Sequence, residues 1–473
     1  MRRYFAEYIQ DRRFRKTMIG IALPIVLQML LVNGLTLVDT MMIGRLGETE
    51  VAAVGLANQM FFLVFLTFFG ITSGTGIFVA QFWGDRDTEG IHQVVGLSLV
   101  GSLSFAIPFA AASFFIPARL MALFTPDPAV VELGVQYLRI IAPSYVFSGI
   151  SFCFGMALRS VERPKVPLLA TAVSMGLNTV LNLVLIFGLL GFPALGVRGA
   201  AIATCISRGV ELLVVLSLSY GRKLPVAASI RRYLSFGRDL ARQFMRTAGP
   251  VLLNEIAWSL GMVMYKMVFA RMGTAVVAAA NITEAIQGLF FVVLMSSGTT
   301  AAIMIGNRIG EGDRQAAYLQ ARHFLVQAMA LGVVLGILMS ATAPIIVLIL
   351  KMRPDTIALV RLTLIALGVL IPIKSFNLHM IVGVLRSGGD TTYSFIAELA
   401  GVWGIGVPIA GLTGLLLGWS LPAVYLAVGL EEVFKAVATA LRFRSGRWLH
   451  DLTRRDRETV EPVIKVDTGI PAP

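Results

Sequence analysis

The chain has 473 residues, of which 56% are apolar and 14% charged, and its formal net charge is +13. Soluble globular proteins carry roughly 45–50% apolar and about 25% charged residues. Windows 17–38, 51–83, 166–197, 323–350 and 399–430 hold no Asp, Glu, Lys or Arg, and a bilayer core needs about 20 apolar residues per helix, so a soluble enzyme, a disordered chain and a nucleic-acid module are excluded.

The first 16 residues hold Arg2, Arg3, Arg12, Arg13, Arg15 and Lys16 and run into an apolar span with no evident cleavage site. That pattern reads as a retained first helix. Hydropathy then predicts twelve helices, at about 17–43, 51–82, 93–116, 134–158, 166–190, 197–220, 247–271, 276–306, 323–350, 357–385, 393–417 and 420–442. Turn chemistry marks the connections Gly84-Asp85-Arg86-Asp87, Thr125-Pro126-Asp127-Pro128, Gly191-Phe192-Pro193 and Gly388-Gly389-Asp390. With the N-terminus inside, 28 Lys and Arg fall on inner segments and 6 on outer loops. Lys and Arg collect in cytoplasmic loops, so both termini are expected in the cytoplasm. Cys153 and Cys205 lie within apolar runs, with no Cys or His at metal-ligand spacing, and read as small hydrophobes.

The second half repeats the first. Pro24 matches Pro250, Arg45-Leu-Gly47 matches Arg271-Met-Gly273, and Val51-Ala-Ala53 matches Val277-Ala-Ala279. Gly84-Asp-Arg-Asp87 matches Gly310-Glu-Gly-Asp313, and Leu158-Arg-Ser160 matches Leu385-Arg-Ser387. Six helices per repeat give both halves the same orientation, related by an axis along the membrane normal. The expected division is a cytoplasmic N-tail (1–16), an N-lobe (17–220), a basic cytoplasmic linker (221–246), a C-lobe (247–442) and a disordered cytoplasmic C-tail (443–473). Two bundles around a central cavity suit alternating access; duplication without it, as in some channels, is the alternative.

The stretches Ala22-Leu-Pro24, Val38-Asp39-Thr40, Gly44-Arg-Leu-Gly47 and Val79-Ala-Gln81 resemble the first two helices of the multidrug and toxic compound extrusion (MATE) transporters. Leu158-Arg-Ser160, Pro164, Asn178, Asn182, Phe187-Gly188, Gly199-Ala-Ala and Ala203-Thr204 resemble its fourth to sixth helices. The resemblance spans about residues 15–445. It implies an all-α polytopic membrane fold of twelve helices in two six-helix bundles around a V-shaped cavity. It also implies a bacterial inner-membrane antiporter that exports organic, often cationic, compounds in exchange for H⁺ or Na⁺. A monomer in contact with membrane lipids is expected, with no nucleic-acid partner and no cofactor beyond the coupling ion. There is no Gly-x-x-x-x-Gly-Lys-Ser/Thr loop for ATP.

An ionisable group within a span is a functional candidate by default. Asp39 interrupts a charge-free first helix, and the family carries a coupling-linked Asp here; a helix-end Asp in water is the plainer reading. Asn178 and Asn182 share one face of the fifth helix. One branch of the family has an acid at the position of Asn182, so a two-carboxylate relay is in doubt here. Thr204 matches another polar position of that cavity, and helix–helix hydrogen bonding accounts for these three equally well. Pro24 kinks the first helix, and in part of the family this helix bends at such a proline with the cation state.

In the second half Asp39 aligns with Tyr265 and Met29 with Glu255. Glu255 is a coupling candidate, as acids of the seventh helix are in the Na⁺-coupled branch. That branch's tenth-helix acid is here replaced by Ser375 beside Lys374. That replacement leaves the second-lobe Na⁺ site incomplete; what the resemblance implies is at most transient Na⁺ at Asp39 or Glu255, and no resident metal is expected. Glu284 and Lys374 are candidate cavity residues, with Lys374 expected to neutralise Glu255, Glu284 or Glu398. Arg208 with Glu211, and Glu431 with Lys435, have helical spacing for pairing. Lys266 can snorkel to the interface, and His379 reads as a hydrogen-bonded interior residue. A flippase for lipid-linked sugars, from related families, is the alternative function. A membrane enzyme is disfavoured, because no clustered catalytic motif is present.

Overall fold

A computed structural model describes residues 12–349 and 353–453. Twelve long helices lie among them. The N-lobe is built from α1 (Arg12–Gly44), α2 (Glu48–Gly84), α3 (Thr88–Phe115), α4 (Pro128–Ser160), α5 (Lys165–Phe187) and α6 (Val197–Gly221). The C-lobe is built from α7 (Arg238–Met272), α8 (Thr274–Gly310), α9 (Arg314–Ile349), α10 (Pro354–Leu385), α11 (Thr391–Leu416) and α12 (Leu421–Arg444). Eleven are long and apolar enough to cross a bilayer. The twelfth, α12, carries Glu431, Glu432 and Lys435, yet Glu431 and Lys435 are only 4% exposed. Its charges point inward and are paired, which is how a charged segment sits within a bundle.

The connections obey local chemistry. Asp87 accepts a hydrogen bond from the Gly90 amide at 2.9 Å and starts α3. Asp127 accepts from Ala129 N at 2.9 Å and starts α4, with Pro128 in the first turn. These caps satisfy amides that a helix start leaves free. Gly188, at φ 74°, ends α5 in the left-handed region. The inter-lobe linker is shorter than the sequence indicates, because α7 already begins at Arg238. A single helical turn, Ile230–Tyr233, docks that linker on the N-lobe, and Gly96 of α3 gives the Tyr233 backbone room to approach.

The lobes meet through small residues. Gly70 and Gly74 of α2 face Leu252 and Ala248 of α7, and Gly306 of α8 faces Ala80. Gly310 lies against the Gln81 carbonyl, and Gly84 against that of Asn307. Glycine lets helix backbones approach where a side chain would hold them apart. These contacts lie in the halves of α2, α7 and α8 nearest the basic face, where both described ends also lie. Asn307 Nδ2 donates to Glu162 Oε1 at 2.9 Å and ties the lobes at that face.

The residues after α12 depart from the sequence expectation of a disordered tail from 443. Trp448 is fully buried and stacks on Phe443 in the C-lobe core, while Leu452 packs into the N-lobe core. Gln81 of α2 donates to Ser387 O (2.8 Å) and His450 O (3.1 Å), and its Oε1 accepts from Leu452 N (2.7 Å). Hence 446–453 form a strap across both lobes. Apolar Trp448, Leu449 and Leu452 supply the burial that a polar tail lacks. The remainder of that tail, 454–473, lies outside the described residues.

Candidate functional site

In the N-lobe, α1, α5 and α6 bring four sequence candidates together. Asn182 Nδ2 donates to Asp39 Oδ1 at 2.7 Å and to Asn178 Oδ1 at 3.0 Å. Asn178 Nδ2 donates to Thr204 Oγ1 at 3.4 Å. Asn178 and Asn182 are each 2% exposed, and their spacing of four residues puts both amides on one face of α5. Helix registry thus strings two amides and a hydroxyl into a chain that ends on one carboxylate. Asp39, Asn178 and Thr204 line a cavity of about 80 Å³ that also touches Arg208 and Glu211. Asn182 Oδ1 is buried and, among the described residues, has no hydrogen-bond partner. The arrangement has chemical direction: an ionised Asp39 accepts the amide hydrogens, whereas a protonated Asp39 needs an acceptor, which the orphaned Oδ1 can be.

The polar seam continues toward the basic face. Arg208 Nη1 donates to Glu211 Oε2 at 2.8 Å, and Thr171 Oγ1 donates to Glu211 Oε1 at 2.8 Å. Gln28 Nε2 donates to Thr171 Oγ1 at 2.9 Å, and Arg159 Nη2 donates to Gln28 Oε1 at 2.7 Å. Sequence reasoning names Arg208 and Glu211 only as an intrahelical pair, because their remaining partners lie on α1, α4 and α5.

Pro24 is buried in α1, which runs through it as an unbroken helix. Proline leaves the carbonyl four residues earlier without its helical donor, a local weak point.

The C-lobe candidates do not converge. Glu255 pairs with Arg386 at 2.9 Å, both side chains nearly buried. Glu284 pairs with Lys266 at 3.0 Å in a half-exposed bridge, so Lys266 is engaged rather than simply snorkelled. Glu398 pairs with Lys435 at 3.4 Å. Lys374 is therefore the direct partner of none of the three acids expected for it. His379 is an interior residue with Nδ1 against Ser375 O and Nε2 against Ser297 Oγ, each at 2.8 Å.

A charged cluster that sequence reasoning does not assemble occupies the C-lobe. Lys435 Nζ lies 2.7 Å from Glu431, 3.3 Å from Glu432 and 3.4 Å from Glu398. Tyr265 Oη donates to Glu431 Oε2 at 2.5 Å. The repeat was the available signal. At the offset that aligns Leu158 with Leu385, Thr171 matches Glu398, Thr204 matches Glu431 and Arg208 matches Lys435. Likewise Arg159 matches Arg386, and each reaches the first helix of its own lobe, at Gln28 and Glu255.

A family model described as MatE matches residues 24–184 and 250–412, once in each lobe and over more than half of the chain. The chain belongs to the MatE family. The uncharacterised transporter YisQ of Bacillus subtilis (strain 168) is 27% identical over 93% of this chain and 96% of its own. The multidrug resistance protein NorM of Burkholderia vietnamiensis is 27% identical over 89% and 92%. Crystal structures of a MATE protein in the straight and in the bent conformation each align with a TM-score of 0.79 at 22% identity. The straight one covers 91% of this chain and 95% of its own, and the bent one 92% and 94%. The chain thus shares the fold of these MATE structures.

Proposed function

We propose that this protein is a proton-coupled exporter of organic cations, working by alternating access as a monomer in the inner membrane with both termini in the cytoplasm. The observation that carries the reading is Asp39 at the head of the buried Asn182–Asn178–Thr204 chain, beside a cavity. The Asp39 carboxylate is either ionised and able to hold a cation, or protonated and unable to. Substrate and proton then compete for one charge, which is the requirement of antiport. Arg208 in the same cavity favours H⁺ over Na⁺, since a proton neutralises the carboxylate whereas a metal ion adds a charge beside a guanidinium.

The multidrug resistance name of the Burkholderia vietnamiensis relative supports drug-like substrates. The flippase alternative needs free cations for a pyrophosphate. Arg208 is engaged by Glu211, and Lys435 by three glutamates.

Proteoliposomes with separately imposed H⁺ and Na⁺ gradients test the reading. An H⁺ gradient should drive ethidium efflux in wild type and not in Asp39→Asn, and a Na⁺ gradient should drive none. Efflux on Na⁺ alone would transfer the coupling to the metal ion, and efflux on neither would remove antiport.

A further inference from the structure

Arg208 and Glu211 share the cavity with Asp39 and are so far unexplained. Glu211 is fixed in place. One carboxylate oxygen accepts from Thr171, which is itself held by Gln28, and Gln28 by Arg159. Arg208 is looser: its side chain is 27% exposed, its carboxylate contact is with Glu211, and its guanidinium lies 5.9 Å over the Phe61 ring. Of the pair, the arginine is the partner free to move. The cavity of about 80 Å³ is room for two or three waters at roughly 30 Å³ each. The other lobe shows what this register does with a cation: Lys435, the repeat counterpart of Arg208, lies among three carboxylates within 3.4 Å.

We propose that Arg208 is a shared counter-ion of the N-lobe site, anchored by Glu211 and drawn toward Asp39 whenever that carboxylate is ionised. Arg208 and Glu211 are then positioning residues that set the pH at which Asp39 takes up its proton. This rests on the proton-coupled reading of Asp39 given above. Among the described residues, the charged or titratable groups facing Asp39 are Tyr137 from α4 and Arg208 and Glu211 from α6. From α5 come only uncharged groups, the amides Asn178 and Asn182 and the hydroxyls of Thr171 and Ser174, and no ionisable group of α2 or α8 lines the cavity.

The signs are opposite for the two partners. Arg208→Gln removes a positive charge near Asp39, so protonation becomes easier and its midpoint moves to higher pH. Glu211→Gln removes the anion that neutralises Arg208, so the positive field at Asp39 grows and the midpoint moves to lower pH. Each shift should be about one pH unit for charges a few ångströms apart in a partly hydrated interior. The double variant Arg208→Gln/Glu211→Gln, which buries no unpaired charge, should return near wild type. Arg208→Lys should stay close to wild type.

The readout is the carboxylic-acid infrared band of Asp39 against pH, identified by its loss in Asp39→Asn, with the full-length protein in detergent. It needs no transport, so failed proton coupling would show separately, in proteoliposomes, as wild type lacking H⁺-driven ethidium efflux. Opposite shifts with restoration in the double variant support the shared counter-ion. Shifts in the same direction, or no shift in either single variant, overturn it; where a single variant fails to fold, a midpoint displaced from wild type by about a full pH unit in the double variant or in Arg208→Lys overturns it.

Discussion

Two half-buried acids with similar sequence credentials have different fates. Asp39 accepts from the uncharged amide of Asn182, whereas Glu255 meets the guanidinium of Arg386. A carboxylate among amides can change protonation state without orphaning a partner. One bonded to a buried arginine cannot, because its loss leaves that arginine unmatched. Glu255→Gln should therefore cost about 3 kcal/mol of stability, read by denaturant unfolding in micelles, while H⁺-driven efflux by the folded fraction keeps its pH dependence. A shifted pH dependence with unchanged stability would make Glu255 a coupling group. The site was partly legible because Asp39, Asn178, Asn182 and Thr204 each stand out as polar residues in apolar helices. The partners of Glu255, Glu284 and Lys374 were not, since Arg386 lies 131 residues from Glu255 and which helix faces which is decided by packing.

At the scale of the helix, hydropathy and length located twelve spans because a bilayer imposes both. Three features escaped. The long α7 continues beyond the apolar core into the basic face, so its start at Arg238 has no hydropathy edge. The charges of α12 suit a span only once paired with α7 and α11. The π turns His379–Leu385, Val402–Gly406 and Leu412–Leu416 carry no composition signal. Two predictions belong here. Pro24→Ala restores the missing donor and should stiffen α1, slowing H⁺-driven efflux while ethidium binding at equilibrium persists; full-rate efflux would make the proline a static feature. In α8, a Cβ on Gly306 would stand 2.8 Å from Ala80 Cβ. Gly306→Leu should pry α2 from α8 and raise thiol labelling of a cysteine placed at position 162, and unchanged labelling would contradict closure by that contact.

For the whole molecule, the strap across the basic face gives the two-lobe architecture a second tie. It was illegible because a tail with scattered apolar residues looks disordered until Trp448 finds a core to enter. His450 in this strap is held below the ordinary histidine value of 6.5, mainly by burial and further by Arg442 and Arg314, against the opposing pull of Asp390. A histidine kept neutral on folding contributes stability above its unfolded pKa and loses it as pH falls through that value. Amide protection over 446–453, with the intrinsic pH dependence of exchange divided out, should thus fall below about pH 6.5, and His450→Gln should flatten that dependence; an unchanged slope would place the acid sensitivity elsewhere. The central claim is competition between proton and organic cation for Asp39, and linkage makes it directly measurable. Ethidium added to the purified protein in weakly buffered detergent near neutral pH should release protons, up to about one per cation bound, and Asp39→Asn should release none. Ethidium binding to wild type without proton release across the pH range would contradict it.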